Sequence, residues 1–128
     1  MSLKSKVSFI RTVDHNVGVS YGRKFITSKK TKLAVISIGY ADGIYRTLSN
    51  KISLIHNGKI YPQIGSITMD QLMIDITGAN DINIGDTVIL LGHDAGKNIS
   101  PVDWADAAST IPWEILCAFK NRLPRVQI

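Results

Sequence analysis

The 128-residue sequence predicts a mainly β fold, a small closed Greek-key-like β-barrel with two short helices near the C-terminus. Three observations lead to this prediction. Short apolar segments recur between Val7 and Gly92 and are separated by turn residues. Asn57-Gly58 stands between two of these segments, which is typical of a two-residue hairpin loop. Helix-start signals appear only from Ser100 onward.

Seven segments have the pattern of extended chain. Leu33–Ile38 is almost entirely apolar and suits a strand that is buried on both faces. Val17–Gly22 is punctuated by glycine and predicts either a strand or a bend. The other predicted strands are Val7–Val13, Ile52–His56, Lys59–Ile64, Leu72–Ile76 and Thr87–Leu91, and the last of them ends at Gly92.

The last third of the sequence predicts the two helices. Ser100 is a favoured N-cap residue, and Pro101 suits the first helical position. A first helix is therefore expected over residues 101–109. Thr110 is predicted to cap a second helix over residues 111–120, and Pro124 makes further helix unfavourable.

The composition predicts one domain with one core, because 45% of the residues are hydrophobic and 20% are charged. Residues 1–3 are expected to precede a domain that occupies residues 4–128. No apolar run has the length of a membrane span or of a signal peptide. Cys117 is the only cysteine, which excludes an internal disulfide and favours a reducing compartment, the cytoplasm. His15, His56 and His93 lack ligand spacing, so no metal site is predicted.

The net charge is +5, and part of it is concentrated between Arg23 and Lys32. Such a cluster suits a phosphate-binding patch for nucleic acid. It also suits a solvated hairpin whose lysines protect a sheet edge, which is the favoured interpretation. No aromatic residues are interleaved to stack bases, which disfavours nucleic acid. A free-standing basic β-barrel that binds a partner remains an alternative function.

Tyr40 lies where the apolar segment Leu33–Ile38 meets a turn bracketed by Gly39 and Gly43. This placement gives the phenol a rigid stem and an exposed tip. On spacing alone, the side chain either caps the strand by bonding a nearby carbonyl or reaches out of the domain. A second segment of similar character is Gly65-Ser66-Ile67-Thr68-Met69-Asp70.

The segment Ile38-Gly39-Tyr40-Ala41-Asp42-Gly43-Ile44-Tyr45-Arg46 resembles the GYADGxxR signature of the C-terminal domain of alanine racemase. Other segments resemble that family in the same order along the chain. They are Val17–Gly22 with its Val-Ser-Tyr-Gly, the hairpin around Asn57-Gly58, Ile67–Asp75 with its Met-Asp-Gln, Gly85-Asp86, and Leu123-Pro124-Arg125-Val126. The resemblance covers nearly the whole chain.

The resemblance implies a fold-type III enzyme that uses pyridoxal 5′-phosphate (PLP) to interconvert L- and D-alanine for cell-wall precursors. The cofactor would be bound mainly by an N-terminal TIM-like barrel, on a lysine of that barrel. None of the lysines in these 128 residues is a convincing attachment point, so the chain alone is predicted to be inactive. A head-to-tail homodimer is implied, in which each C-terminal domain completes the partner's active site.

The resemblance also implies roles for individual residues. Tyr40 would be one of two catalytic bases, acting opposite the PLP lysine. The backbone N–H of Met69 would bind the substrate carboxylate, and Tyr45 would lie near the substrate corridor. Tyr21 resembles a tyrosine near the subunit boundary. An ordinary phenol has a pKa of about 10, so a phenolate base at neutral pH needs roughly 4 kcal/mol of help from its neighbours.

Two positions depart from the family pattern. Ser66 stands where members often carry an arginine that lines the corridor. Trp113 stands where members usually carry a tyrosine whose hydroxyl reaches the cofactor phosphate, and its indole N–H is a donor of different geometry. These departures keep a serine or broad-specificity amino-acid racemase open as an alternative.

Overall fold

Seven antiparallel strands make up the sheet in the computed structural model, which describes residues 1–128. Their bounds are β1 Leu3–Val13, β2 Thr31–Ile36, β3 Ser53–His56, β4 Lys59–Ile64, β5 Leu72–Asp75, β6 Thr87–Asp94 and β7 Lys97–Ile99. Two helices follow, α1 Pro101–Ala108 and α2 Pro112–Cys117. Short 3-10 turns occur in the loops at Tyr21–Arg23, Tyr40–Asp42 and Arg46–Leu48.

The sheet closes on itself because the two halves of β1 pair with different neighbours. Leu3–Lys6 pair with β6, and Val7–Val13 pair with β2. The strands therefore form a ring in the order β1-β2-β5-β4-β3-β6, and β7 extends from β6. Strands β3, β4 and β5 are consecutive neighbours, and β6 returns beside β3, which is the Greek-key connection. The predicted mainly β, closed architecture is confirmed.

The core fills the ring and continues under the helices. Twenty-four buried residues form one cluster, to which β2 contributes Ala34 and Ile36. Leu33 and Val35 on the other face of β2 are buried in a second, smaller cluster. The prediction that this segment is buried on both faces is therefore confirmed. Trp104 of α1 is 1% exposed and packs edge-on against Phe119, with ring centroids 6.4 Å apart.

The structure corrects several strand boundaries. β1 begins at Leu3, since this residue pairs with Leu91 and is buried. β6 does not stop at Gly92. That glycine has a φ of 126°, and the strand continues through Asp94 into a hairpin with β7. Residues 17–22 form a bend with one isolated bridge rather than a strand, because φ turns positive in this segment.

The first helix begins as predicted, and the second does not. The Ser100 hydroxyl accepts the Asp103 N–H at 3.3 Å, and the Asp103 carboxylate accepts the Ser100 N–H at 2.7 Å. Thr110 is not the N-cap of α2, because Pro112 occupies the first turn and leaves the cap position to residue 111. The Thr110 hydroxyl instead bonds the Glu114 carboxylate. Neither helix is long or apolar enough to cross a membrane.

The packing of Trp104 predicts a large difference between the two tryptophans. Trp104→Ala removes a fully buried indole and leaves a cavity, so the free energy of unfolding should fall by about 3–5 kcal/mol. Trp113 is 71% exposed, so Trp113→Ala should change it by less than about 0.5 kcal/mol. Urea unfolding followed by far-UV circular dichroism measures both variants. Equal losses would contradict the assignment of Trp104 to the core.

Candidate functional site

The Tyr40 turn and the segment before β5 are joined through their backbones. The Tyr40 N–H donates to the Thr68 carbonyl at 2.9 Å, and the Ala41 N–H donates to the Met69 carbonyl at 3.0 Å. Gly39 makes this approach possible, since a Cβ at that position would overlap the Thr68 carbonyl oxygen. Its φ of −154° is ordinary extended backbone, so close approach rather than strain requires the glycine. The pairing fixes Tyr40 relative to Met69.

Asp42 holds the same turn from inside the domain. This side chain is 6% exposed, and its carboxylate accepts the Gly39 N–H at 3.0 Å. The other carboxylate oxygen lies 3.3 Å from Nε of Arg122, and Nη2 of Arg122 lies 2.6 Å from the Asp70 carboxylate. Arg122 therefore bridges both segments. Its hydrogen bond to Asp70 and the nearby charge of Asp42 raise the pKa of the guanidinium above its usual value.

Tyr40 reaches out of the domain rather than capping the strand. Its side chain is 44% exposed. The hydroxyl has no hydrogen-bond partner within the chain, whereas the Tyr45 hydroxyl donates to the Glu114 carbonyl at 3.1 Å. Spacing alone left open whether the side chain caps the strand or reaches out of the domain, and in the structure it reaches out with its hydroxyl unbonded. An unpartnered phenol on a fixed turn is suited to exchange a proton with an external group.

Tyr45 forms part of an open depression of about 380 Å³ beside Tyr40. Other residues that line it are Ile44, Arg46, Glu114, Cys117 and Lys120. Burial, followed by the charges of Glu114 and Cys117, raises the pKa of Tyr45. This phenol is therefore kept neutral and fastened to α2. It forms a wall of the depression.

Met69 presents a free backbone donor near the Tyr40 turn. Thr68 and Gln71 bond each other across their turn, with the Thr68 N–H donating to the Gln71 carbonyl at 2.9 Å. The Met69 N–H has no acceptor within the chain. The side chain is 52% exposed. This donor could bind an anionic group from outside the domain.

The structure does not bring Trp113 into the depression. The residue lies on α2 next to Glu114 and is 71% exposed, and it does not line the space beside Tyr40. Cofactor contact by its indole N–H stays a prediction.

Tyr21 occupies a strained turn that is fastened to Ser66. The neighbouring residues Ser20 and Arg23 are not glycines, yet they have φ values of 65° and 50°. The Ser20 hydroxyl donates to the Ser66 carbonyl at 2.6 Å, and the Ser66 hydroxyl donates to the Tyr21 carbonyl at 3.1 Å. The Tyr21 side chain is 64% exposed. Strained backbone of this kind clusters at functional sites.

Sequence reasoning missed two parts of this arrangement. Arg122 gives no signal, because nothing in the sequence connects it with Asp42 and Asp70. The sequence comparison treats Ser66 only as the loss of a corridor arginine. In the structure its buried hydroxyl bonds the Tyr21 carbonyl and so anchors the Tyr21 turn. The positive φ values around Tyr21 could have been anticipated only at Gly22.

Comparisons with known proteins agree with one another. The family model of the alanine racemase C-terminal domain matches residues 1–127. The alanine racemase of Prochlorococcus marinus is 56% identical over 128 residues, which are 100% of this chain and 33% of that protein. The alanine racemase of Nostoc is 48% identical over the same length and the same shares.

The fold comparison gives the same result. The crystal structure of alanine racemase from Bacillus anthracis with bound L-Ala-P has a TM-score of 0.92 at 35% identity, and the match covers 99% of this chain and 32% of that one. The chain spans about a third of the length of the curated relatives it matches. Because the family model matches almost every residue, the chain belongs to the alanine racemase family, within its C-terminal domain.

Proposed function

We propose that this domain contributes a phenol base and a carboxylate-binding N–H to the active site of a PLP-dependent alanine racemase. The observation that carries the proposal is the backbone pairing of the Tyr40 turn with Thr68 and Met69. It holds an exposed, unpartnered hydroxyl and an unpartnered N–H on one rigid unit. Relatives that match the whole chain are named alanine racemase.

Racemisation needs a proton acceptor and a proton donor on opposite faces of the substrate carbon. When bound, PLP supplies the electron sink that makes the α-proton removable. The residues of this chain fit the edge of such a site, because Tyr40 lines an open depression and its hydroxyl has no partner within the chain. They do not fit its interior, where a buried lysine would have to hold the cofactor, since every lysine of this chain is exposed or half-buried. We therefore assign the cofactor to the N-terminal barrel that the family resemblance implies.

Tyr40 is our first candidate for the base. Its stem is fixed by two backbone hydrogen bonds, which limits the freedom that the hydroxyl must lose in the transition state. Tyr21 is a second candidate, favoured by its larger exposed fraction and its strained turn. Both phenols project from segments tied to the stretch between Gly65 and Asp70. Matched variants distinguish them.

The substrate and partners of the intact enzyme are part of the same proposal. The Met69 N–H would bind the carboxylate that every α-amino acid carries, so this donor does not separate alanine from serine. The names of the relatives favour alanine as the substrate. Supply of D-alanine for cell-wall precursors, in the cytoplasm, is what the family resemblance implies. The open depression beside Tyr40 excludes water only when another surface covers it. The head-to-tail homodimer that the family resemblance implies would supply that surface.

Replacement of the base should abolish most of the turnover without releasing the cofactor. In the full-length protein that carries this domain, the Tyr→Phe variant at the base should lose about a hundredfold or more of the racemisation rate. Tyr40→Phe and Tyr21→Phe are measured in both directions by polarimetry, together with the PLP absorbance. The variant with the larger loss identifies the base.

Tyr61→Phe is the matched control for these variants. Its hydroxyl is buried without a partner inside the domain, so the change should leave turnover unaltered. If Tyr40→Phe and Tyr21→Phe both racemise alanine at the wild-type rate, the proposal of a phenol base from this domain fails.

The Arg122 bridge predicts a positioning effect. Arg122→Gln removes the link between Asp42 and Asp70, so the Tyr40 turn should shift against Met69 and kcat should fall by about tenfold or more. Arg122→Lys should recover part of kcat, because an ammonium retains charge but lacks the planar fork. Steady-state kinetics separates kcat from KM.

Arg125→Gln is the control for the bridge, since Arg125 bonds only backbone carbonyls near the C-terminus. A loss of folded structure in Arg122→Gln, seen by circular dichroism, would indicate a role in stability alone. Unchanged kcat in a folded Arg122→Gln variant would refute the positioning role.

A further inference from the structure

A second depression, of about 370 Å³, lies beside the first and is lined only by polar residues. Three of its lining residues are the cations Lys24, Arg46 and Lys51, and none carries a carboxylate. Arg46 also lines the depression beside Tyr40, so the two spaces are adjacent. We call the second space the cationic depression.

The walls of the cationic depression are fixed by side-chain hydrogen bonds. The Asn50 side chain accepts the Gly65 N–H at 2.7 Å and donates to the Lys24 carbonyl at 3.4 Å. The Ser49 hydroxyl accepts the Ile67 N–H at 2.9 Å. Three separate loops are therefore held together. A ligand that enters meets groups already arranged, which lowers the entropy lost on binding.

The charge in this space is uncompensated within the chain. The ion pairs of the domain use Asp14, Asp42, Asp70, Asp81 and Asp86, and none of them involves Lys24, Arg46 or Lys51. Like charges that converge on one concavity repel each other, and a bound anion relieves that repulsion. Thr47 and Ser66 add hydroxyl groups to the lining. Guanidinium and ammonium groups together suit an oxyanion.

We propose that the cationic depression is a binding site for a small dianion of the phosphate or carboxylate class. The site is built entirely from this chain and requires neither racemase activity nor the cofactor. It therefore goes beyond the proposed function and is tested separately from it.

Titration of the 128-residue chain with inorganic phosphate tests the site. Backbone amide resonances are followed by NMR while ionic strength is held constant with sodium chloride, so that simple screening does not contribute. Saturable shifts are expected at Thr47, Lys51 and Ser66. A parallel titration with malonate distinguishes the source of the anion: tighter phosphate binding indicates a phosphoryl ligand, and tighter malonate binding indicates a dicarboxylate.

The double variant Lys24→Gln/Lys51→Gln should weaken the apparent affinity by about tenfold. The matched control Lys29→Gln/Lys97→Gln removes the same charge from exposed residues outside the depression and should bind as the wild type does. Amide spectra confirm that each variant is folded. Absence of saturable shifts with both anions, or equal weakening in the two double variants, would overturn the site.

Discussion

The candidate site depends on the contact between the Gly39 backbone and the Thr68–Met69 peptide. Without a side chain at Gly39, two loops about thirty residues apart in sequence come within hydrogen-bonding distance. Loops are ordinarily the mobile parts of a domain. Here the shared hydrogen bonds join the backbones of the Tyr40 turn and the Met69 segment, so the residues that carry a free phenol and a free amide are held side by side. Arg122 reinforces that unit from the C-terminal end of the chain.

The ring explains why these two loops meet. Strands β2 and β5 are antiparallel neighbours, and Ile36 at the end of β2 pairs with Leu72 at the start of β5. The turn that follows β2 and the segment that precedes β5 must therefore emerge at the same end of this strand pair. The Tyr21 turn reaches the same region through Ser66, which lies just beyond the end of β4. The residues of the candidate site therefore lie at one end of the strands, because the strand order brings their loops together there.

Local signals in the sequence predicted the parts of the fold that local chemistry determines. The Asn57-Gly58 hairpin and the Ser100 cap follow from the preferences of those residues. The hairpin around Ala95-Gly96 was missed, because an alanine with a φ of 45° contradicts its own preference and is held there by tertiary packing. Gly58 packs directly against this turn. The Arg122 bridge was missed because it joins Asp42, Asp70 and the C-terminal end of the chain, which are far apart in sequence and meet only in the folded domain.

The four tyrosines show how environment divides one side-chain type among different roles. Tyr61 is buried and Tyr45 is bonded to α2, and burial raises the pKa of both, so neither phenol is suited to lose a proton. Tyr21 and Tyr40 are exposed and have no internal partner for their hydroxyl groups. A phenolate requires nearby positive charge or hydrogen-bond donors. This domain provides the fixed stems, and the groups that make a phenol basic must come from the surface that covers them.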